Sequence, residues 1–215
     1  MKIRKYKSSD RKQVEHINFE TAFLGKSMSK FLSNNKIYKN NIKYYVEKEP
    51  ESIFVLEDKN KVVGYLLGCL DDKNNSEIFE AISTNMKNFF KSFFLPKKDR
   101  IYWRGQFFQL LNILLTFSPE MRFKTPKNAG HIHINLLPEA RGKNYGTKLL
   151  NEYAKYAKTK GAKIIHAGSF KTNLNPNTNF WLKNKFKVYS EIKTSIWKKQ
   201  LPKENIKLVC YVREL

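Results

Sequence analysis

The sequence predicts a single α/β domain over residues 1–215, a mixed central sheet flanked by helices, with a helical insert over 73–127 between the third and fourth strands. Three observations predict it. The stretch His131 to Thr147, followed at once by the amphipathic run Lys148 to Lys160, reads as strand, tight basic loop and helix. The chain ahead of it opens in the order strand, helix, helix, strand, strand, and the chain after it alternates strand and helix again. With 215 residues, 41% of them hydrophobic and 28% charged, there is enough apolar material for a sizeable core.

Taken in order, residues 2–7 form a short strand. Ser8-Ser9-Asp10 then starts a helix over about 11–24, with Asp10 and Gln13 at the spacing of a capping box. A second helix spans about 36–48 and stops before Pro50. Strands at 52–57 and 61–70 flank Asp58-Lys59-Asn60, a hairpin signal. In the insert, Ile78, Ile82, Met86, Phe89, Phe90, Phe93 and Phe94 recur at helical spacing. Pro96 and Lys97-Lys98-Asp99 interrupt, and Trp103 to Phe117 forms a more apolar second helix. These two helices are expected to pack on the sheet as extra core or as the face of a homodimer, in preference to a substrate lid. The strand at 131–137 precedes a helix at 146–160. A strand at 163–169, a helix at 176–185 opened by Pro176, and strands near 187–197 and 206–213 complete the chain.

A basic loop at a helix N-terminus aims unpaired N–H groups and the positive end of the helix dipole at one spot, which suits a phosphate or pyrophosphate. The Gly-Lys-Ser/Thr ending of a Walker loop is absent, and so is the dinucleotide fingerprint in a first βαβ unit. Arg141, Gly142, Asn144 and Gly146 instead resemble the acyl-CoA pyrophosphate loop of the GNAT N-acetyltransferase superfamily, R/Q-x-x-G-x-G/A between the fourth strand and the third helix. Asn144 stands at the first glycine and is the non-glycine residue that best accepts positive φ. Asn175 to Phe186 resembles the family's fourth helix, with Lys185 in place of the glycine before Phe186. The segments His131 to Pro138 and Ile165 to Gly168, together with the insert, resemble most closely the acetyltransferase-like proteins related to the C-terminal domain of O-GlcNAc hydrolases.

The resemblance implies the GNAT acyl-CoA N-acyltransferase fold and transfer of an acetyl group from acetyl-CoA to an amine or peptide acceptor by direct attack in a ternary complex. It implies that the amides from Lys143 through Asn144, Tyr145 and Gly146 to Thr147 hold the pyrophosphate, with Arg141 and Lys148 as counter-charges. Backbone of Asn135, Leu136 and Leu137 would pair with the pantetheine arm, and Asn173, Asn175 and Trp181 would approach the cofactor from the side. The attacking amine must be neutral and the leaving thiolate must be protonated or stabilised, so two proton-handling groups suffice. His131, His133 and Asn135 share one strand face, Ile132, Ile134 and Leu136 the other. His166 lies on the next strand, and a parallel neighbour would bring it near His133; His133 and His166 are the expected proton carriers. Glu139 is expected to face solvent. Where the family often places an acidic Tyr, this sequence has Phe180 and Trp181, leaving Tyr145, Tyr153, Tyr189 or solvent. A CoA-binding module that no longer catalyses is the competing reading.

Composition limits the partners. The net charge of +22 is carried by 34 Lys and only 7 Arg, beside 21 Asn. Joint Lys and Asn enrichment is what an AT-rich genome produces, and Lys lacks the bidentate fork favoured in phosphate and base recognition, so dedicated nucleic-acid binding is disfavoured. Cys69 and Cys210 sit in apolar strand-like runs and are expected to be reduced core residues. No Cys/His spacing suits a metal. No signal region or membrane-length apolar run is present, so the cytoplasm is expected and a membrane partner is not.

Overall fold

The computed structural model describes residues 1–34, 40–70, 86–173 and 178–215. Its strands are β1 (Lys2–Lys5), β2 (Phe54–Asp58), β3 (Lys61–Cys69), β4 (Gly130–Leu136), β5 (Ile164–Lys171), β6 (Lys187–Lys193) and β7 (Lys207–Glu214). They form one sheet of order β1-β2-β3-β4-β5-β7-β6. The helices are α1 (Arg11–Thr21), α2 (Asn40–Lys48), α3 (86–91), α4 (Lys97–Leu115), α5 (Tyr145–Thr159) and α6 (Thr178–Lys183). The expected mixed α/β architecture is present. Ile78, Ile82 and Asn175, and the first residues expected in the second helix, lie outside the described residues.

Local chemistry explains the hairpin. Lys59 and Asn60 both take positive φ, +46° and +64°, the conformation that lets a two-residue turn match the twist of its strands. α1 begins differently from the expected capping box. The Asp10 carboxylate accepts the Lys7 N–H at 2.8 Å and the Arg4 guanidinium at 2.7 and 2.9 Å, while Gln13 accepts the Val62 N–H at 2.9 Å. A nearby arginine and an unpaired strand amide outcompete the reciprocal cap. Pro96 is the residue ahead of α4, and Lys97-Lys98-Asp99 form its first turn where an interruption was expected.

Each sheet face has its own core. On one, Ile132, Ile165 and Tyr211 pack against Leu149, Leu150 and Tyr153 of α5. On the other, Val55, Tyr65 and Leu67 meet Val14 and Ile17 of α1 and Tyr45 of α2. A third cluster joins Phe19 and Phe23 to Trp103 of α4 and Trp197. Gly68 is required under α5, because a Cβ there would stand 2.0 Å from the Tyr153 ring. Buried Tyr153 donates to the Cys69 carbonyl at 3.1 Å.

α4 contributes Tyr102 and Trp103 to the third core cluster. Of its 19 residues, Asp99, Tyr102 and Trp103 are buried, and the opposite side is exposed.

Candidate active site

The sheet opens at its centre. β4 and β5 are parallel and pair only at Gly130↔Ile165 and His131↔His166. From Ile132 onward the edge of β4 toward β5 has no strand partner among the described residues, and this gap ends at the loop that starts α5. Backbone direction along the gap follows from the antiparallel ladder with β3. Leu137 donates its N–H to Val63 at 2.9 Å, so by alternation Asn135 also points at β3, whereas Ile134 and Leu136 point into the gap. This corrects the expectation for Asn135 and Leu137, whose main-chain groups are committed to β3. Ile134 and Leu136 face the gap, and the Leu136 carbonyl accepts Arg141 Nε at 2.8 Å. The ladder parity that identifies Ile134 depends on register, which the sequence does not display.

The loop has the shape the motif implies. Gly142 and Asn144 adopt φ of +72° and +60°, and Asn144 is the N-cap of α5. The first amide of α5 to reach a helical carbonyl is Lys148, bonded to Asn144 O at 3.2 Å, so the N–H groups of Tyr145, Gly146 and Thr147 precede the helical ladder. A Cβ on Gly142 would meet nothing within 4 Å, so that side of the loop is open. Gly146 differs: a Cβ there would stand 2.9 Å from the Phe180 ring, which makes its smallness a packing requirement between α5 and α6. The side chains around the loop are turned to structural tasks. Arg141 also donates to the Gly25 carbonyl at 2.8 Å, and Lys143 to the Glu139 carbonyl at 3.0 Å. Lys148 Nζ lies 5.0 Å from the Tyr145 ring centroid. Asn173 follows β5 and donates its N–H to Glu204 at 3.3 Å. Trp181 is in the core, stacked on Tyr211 at 5.8 Å and set edge-on to Phe186, while half-buried Phe180 lies beside Gly146.

The histidines fall into two groups. The register sets His131, not His133, against His166, with ring centroids 4.9 Å apart. This corrects the expected His133–His166 pair; parallel register is decided by packing across the sheet, and one pair of residues is enough to change the partner. His166 is 2% exposed and lies 3.9 Å from Cys210 Sγ, behind the His131 ring. His131 Nδ1 shares a 2.5 Å hydrogen bond with Tyr45 Oη of α2. Cys69 and Cys210 are buried and unbridged.

His133 stands two residues further along, on the same face as Tyr65, with ring centroids 5.9 Å apart. Asn135 Nδ2 donates to Tyr65 Oη at 2.9 Å and lies 3.5 Å from His133 Nε2. Tyr65 in turn donates to Asn18 Oδ1 of α1 at 3.3 Å. Burial pushes His133 down to about 4, so its imidazole is neutral at pH 7. Burial likewise raises Tyr153 above the ordinary tyrosine range, and with its hydroxyl donated to a carbonyl it is no source of a proton. Tyr189 is exposed on β6, and Glu139 is exposed as expected. Tyr45, Tyr65, Asn18 and His131 are the polar residues on this face that the sequence reading did not single out as candidates. Their contacts cross from helix to sheet, and only the alternation of β4 hinted at the last of them.

Comparison with known proteins agrees with this geometry. The Acetyltransferase (GNAT) family model matches residues 111–186, the segment from the last turn of α4 through the loop and α6. No curated protein matches the sequence. Among solved structures, SsHAT superposes with a TM-score of 0.64 at 20% identity, covering 99% of this chain and 97% of that one. The ribosomal-protein-alanine N-acetyltransferase from Brucella melitensis gives a TM-score of 0.58 at 12% identity over 100% of both chains. Drosophila melanogaster polyamine N-acetyltransferase gives 0.57 at 11% identity over 100% of this chain and 99% of its own. The opened sheet, the left-handed loop and these likenesses together give the chain the fold of the GNAT acetyltransferases, with the family's own sequence pattern over residues 111–186.

Proposed function

We propose that the chain is an acetyl-CoA-dependent N-acetyltransferase acting on an amine acceptor. One observation carries the reading: the edge of β4 that β5 leaves unpaired leads directly to a left-handed loop whose amides precede the helical ladder of α5, an arrangement suited to an extended ligand with an anionic group at one end. The amides of Lys143 to Thr147 are the groups to hold the pyrophosphate, with Lys148 as counter-charge. Ile134 and Leu136 are the groups to pair with the pantetheine arm. Acetyl-CoA supplies an activated thioester carbonyl; as the amide forms the C–S bond breaks, and the leaving thiolate takes its proton from solvent.

Around that carbonyl the chain's own residues orient and exchange protons. His133, kept neutral, accepts a hydrogen bond or proton from the acceptor amine or an intervening water, and Tyr65 and Asn135 hold its face of the strand. A base this weak gives less drive than one titrating near neutrality, so positioning contributes more than proton affinity. His166 acts as a positioning residue behind His131. The resemblance of the His131–Pro138 and Ile165–Gly168 segments to the acetyltransferase-like proteins related to O-GlcNAc hydrolases fits this reading and leaves the acceptor open.

Release of free thiol from acetyl-CoA, screened across amines, amino sugars and peptides, tests transfer. His133→Gln is expected to keep acetyl-CoA affinity and lower kcat about 10²-fold. A limb of the wild-type kcat profile is expected near pH 4 from His133, below which the protonated imidazole no longer accepts. A limb near 6.5 lost in His133→Gln would assign that residue an ordinary, solvated imidazole. A second reading, a CoA-binding module without turnover, is favoured by Trp181: the residue at the position of the family's acidic Tyr is buried in the core and has no acidic hydroxyl. Wild-type protein that binds acetyl-CoA and releases no thiol with any of these acceptors supports that reading.

A further inference from the structure

The connection from β3 to β4 exposes an apolar face that the acetyl-transfer reading does not use. Phe94, Phe117 and Leu115 are 92%, 75% and 71% exposed, and Phe90, Phe108 and Ile101 each more than half. On α4, Ile101, Phe108, Leu111 and Leu115 recur at spacings of seven, three and four, which places them along one side. Buried Asp99, Tyr102 and Trp103 occupy the other. Isolated exposed apolar residues are ordinary; a run of them along one face marks an interaction surface.

The charge around this face is one-sided. Residues 86–127 contain nine Lys and Arg and two carboxylates. Both carboxylates are committed inward. Asp99 accepts the Ser33 N–H at 2.6 Å, and Glu120 accepts Ser195 and Thr194. Lys87, Lys91, Lys97, Lys98, Arg104 and Arg122 are exposed around the apolar stripe, with the Arg104 guanidinium 4.8 Å from the Phe93 ring centroid.

We propose that this face docks on an anionic phospholipid surface. α4 lies in the plane of the headgroups, its Phe, Leu and Ile side chains enter the boundary with the acyl chains, and the Lys and Arg rim meets lipid phosphates. The charge complementarity selects this occupant. A second copy would bring two like-charged rims together in a chain of net charge +22. A nucleic acid would satisfy the rim and could stack on the phenylalanines, but gains little from Ile101, Leu111, Leu115 and Met121. Docking in the plane needs no spanning segment, and among the described residues no helix is long and apolar enough to cross a membrane. The expected absence of a membrane partner rested on the lack of a signal region and of a spanning segment, neither of which bears on docking in the plane.

Sedimentation of the full chain with vesicles tests the proposal, without acetyl-CoA so that the outcome is independent of the cofactor site. The protein is expected to pellet with phosphatidylcholine vesicles containing phosphatidylglycerol, to bind pure phosphatidylcholine weakly, and to lose affinity as salt screens the rim. Phe108→Glu with Leu115→Glu should weaken binding at least about tenfold at an unchanged melting temperature, since both side chains are exposed. Lys97→Glu with Arg122→Glu should weaken it by a similar factor. Absence of binding to the anionic vesicles, or binding indifferent to Phe108→Glu with Leu115→Glu, overturns the proposal. So does a dimer in sedimentation equilibrium that this pair dissociates, or RNA binding that it abolishes in the absence of vesicle binding.

Discussion

α5 and α4 are both apolar-rich helices with basic neighbours, yet they meet opposite fates. Six of the 15 residues of α5 are buried, at 146, 149, 150, 153, 154 and 157, a single stripe that fits the sheet. α4 has apolar residues at nearly every angle, and three of its 19 residues are buried. A periodic stripe states how much partner surface a helix needs and where. An apolar residue on every side states only that more than one partner is available or required: α4 gives Tyr102 and Trp103 to the third cluster and leaves Ile101, Phe108, Leu111 and Leu115 exposed.

The largest effect that separates the two regions is steric. Gly68→Ala places a Cβ inside the van der Waals envelope of Tyr153 beneath α5 and should cost about 3 kcal/mol or more in urea unfolding. Leu115→Ser, on the exposed side of α4, should change stability by no more than about 0.5 kcal/mol. Equal losses would mean that α4 is packed as firmly as α5.

A second effect sharpens how the connection is tied down. Burial pushes the Glu120 carboxyl up, but hydrogen bonds from Ser118 and Ser195 outweigh it and bring it to about 2. A depressed folded-state value means stabilisation that is complete above the ordinary value of 4.5 and is lost as pH falls from there through about 2. After allowance for solvent screening this amounts to about 1–2 kcal/mol. Glu120→Gln should lower stability at pH 7 by that amount and flatten its dependence on pH over this window; an unchanged slope would show that another carboxylate sets it.

The smallest effect is conformational. Lys185 holds φ of +66° at the position where the family pattern has glycine. Lys185→Gly removes that strain at the cost of greater unfolded-chain entropy, for a net gain of about 0.5–1 kcal/mol in thermal unfolding. A loss would mean that the lysine side chain contributes more than its backbone strain removes.

What was legible in the sequence was local. The turn at Lys59-Asn60, the alternation along β4 and the left-handed Asn144 are each decided by a few adjacent residues. What was hidden was decided across the sheet. β7 inserts between β5 and β6, the parallel register selects His131 for His166, and Arg4 draws Asp10 away from its cap. The strand and the loop conformation were therefore legible, while the hydrogen-bonding direction of Asn135 and Leu137 and the partner of His166 were not. Tyr45 and Tyr65 entered the site from elements that share no local pattern with it.

The central claim is that acetyl-CoA binds with its pyrophosphate at the loop before α5. Asn144→Asp tests it cleanly: Asp tolerates the same left-handed backbone, suits a helix N-cap, and adds a negative charge where the amides converge. Calorimetric titration of acetyl-CoA should show wild-type binding, with stabilisation of about 2.7 kcal/mol at 100 times the dissociation constant. Affinity in Asn144→Asp should fall about tenfold or more while the melting temperature without ligand is equal or higher. Absence of wild-type binding, or equal affinity in the two proteins, would contradict the account.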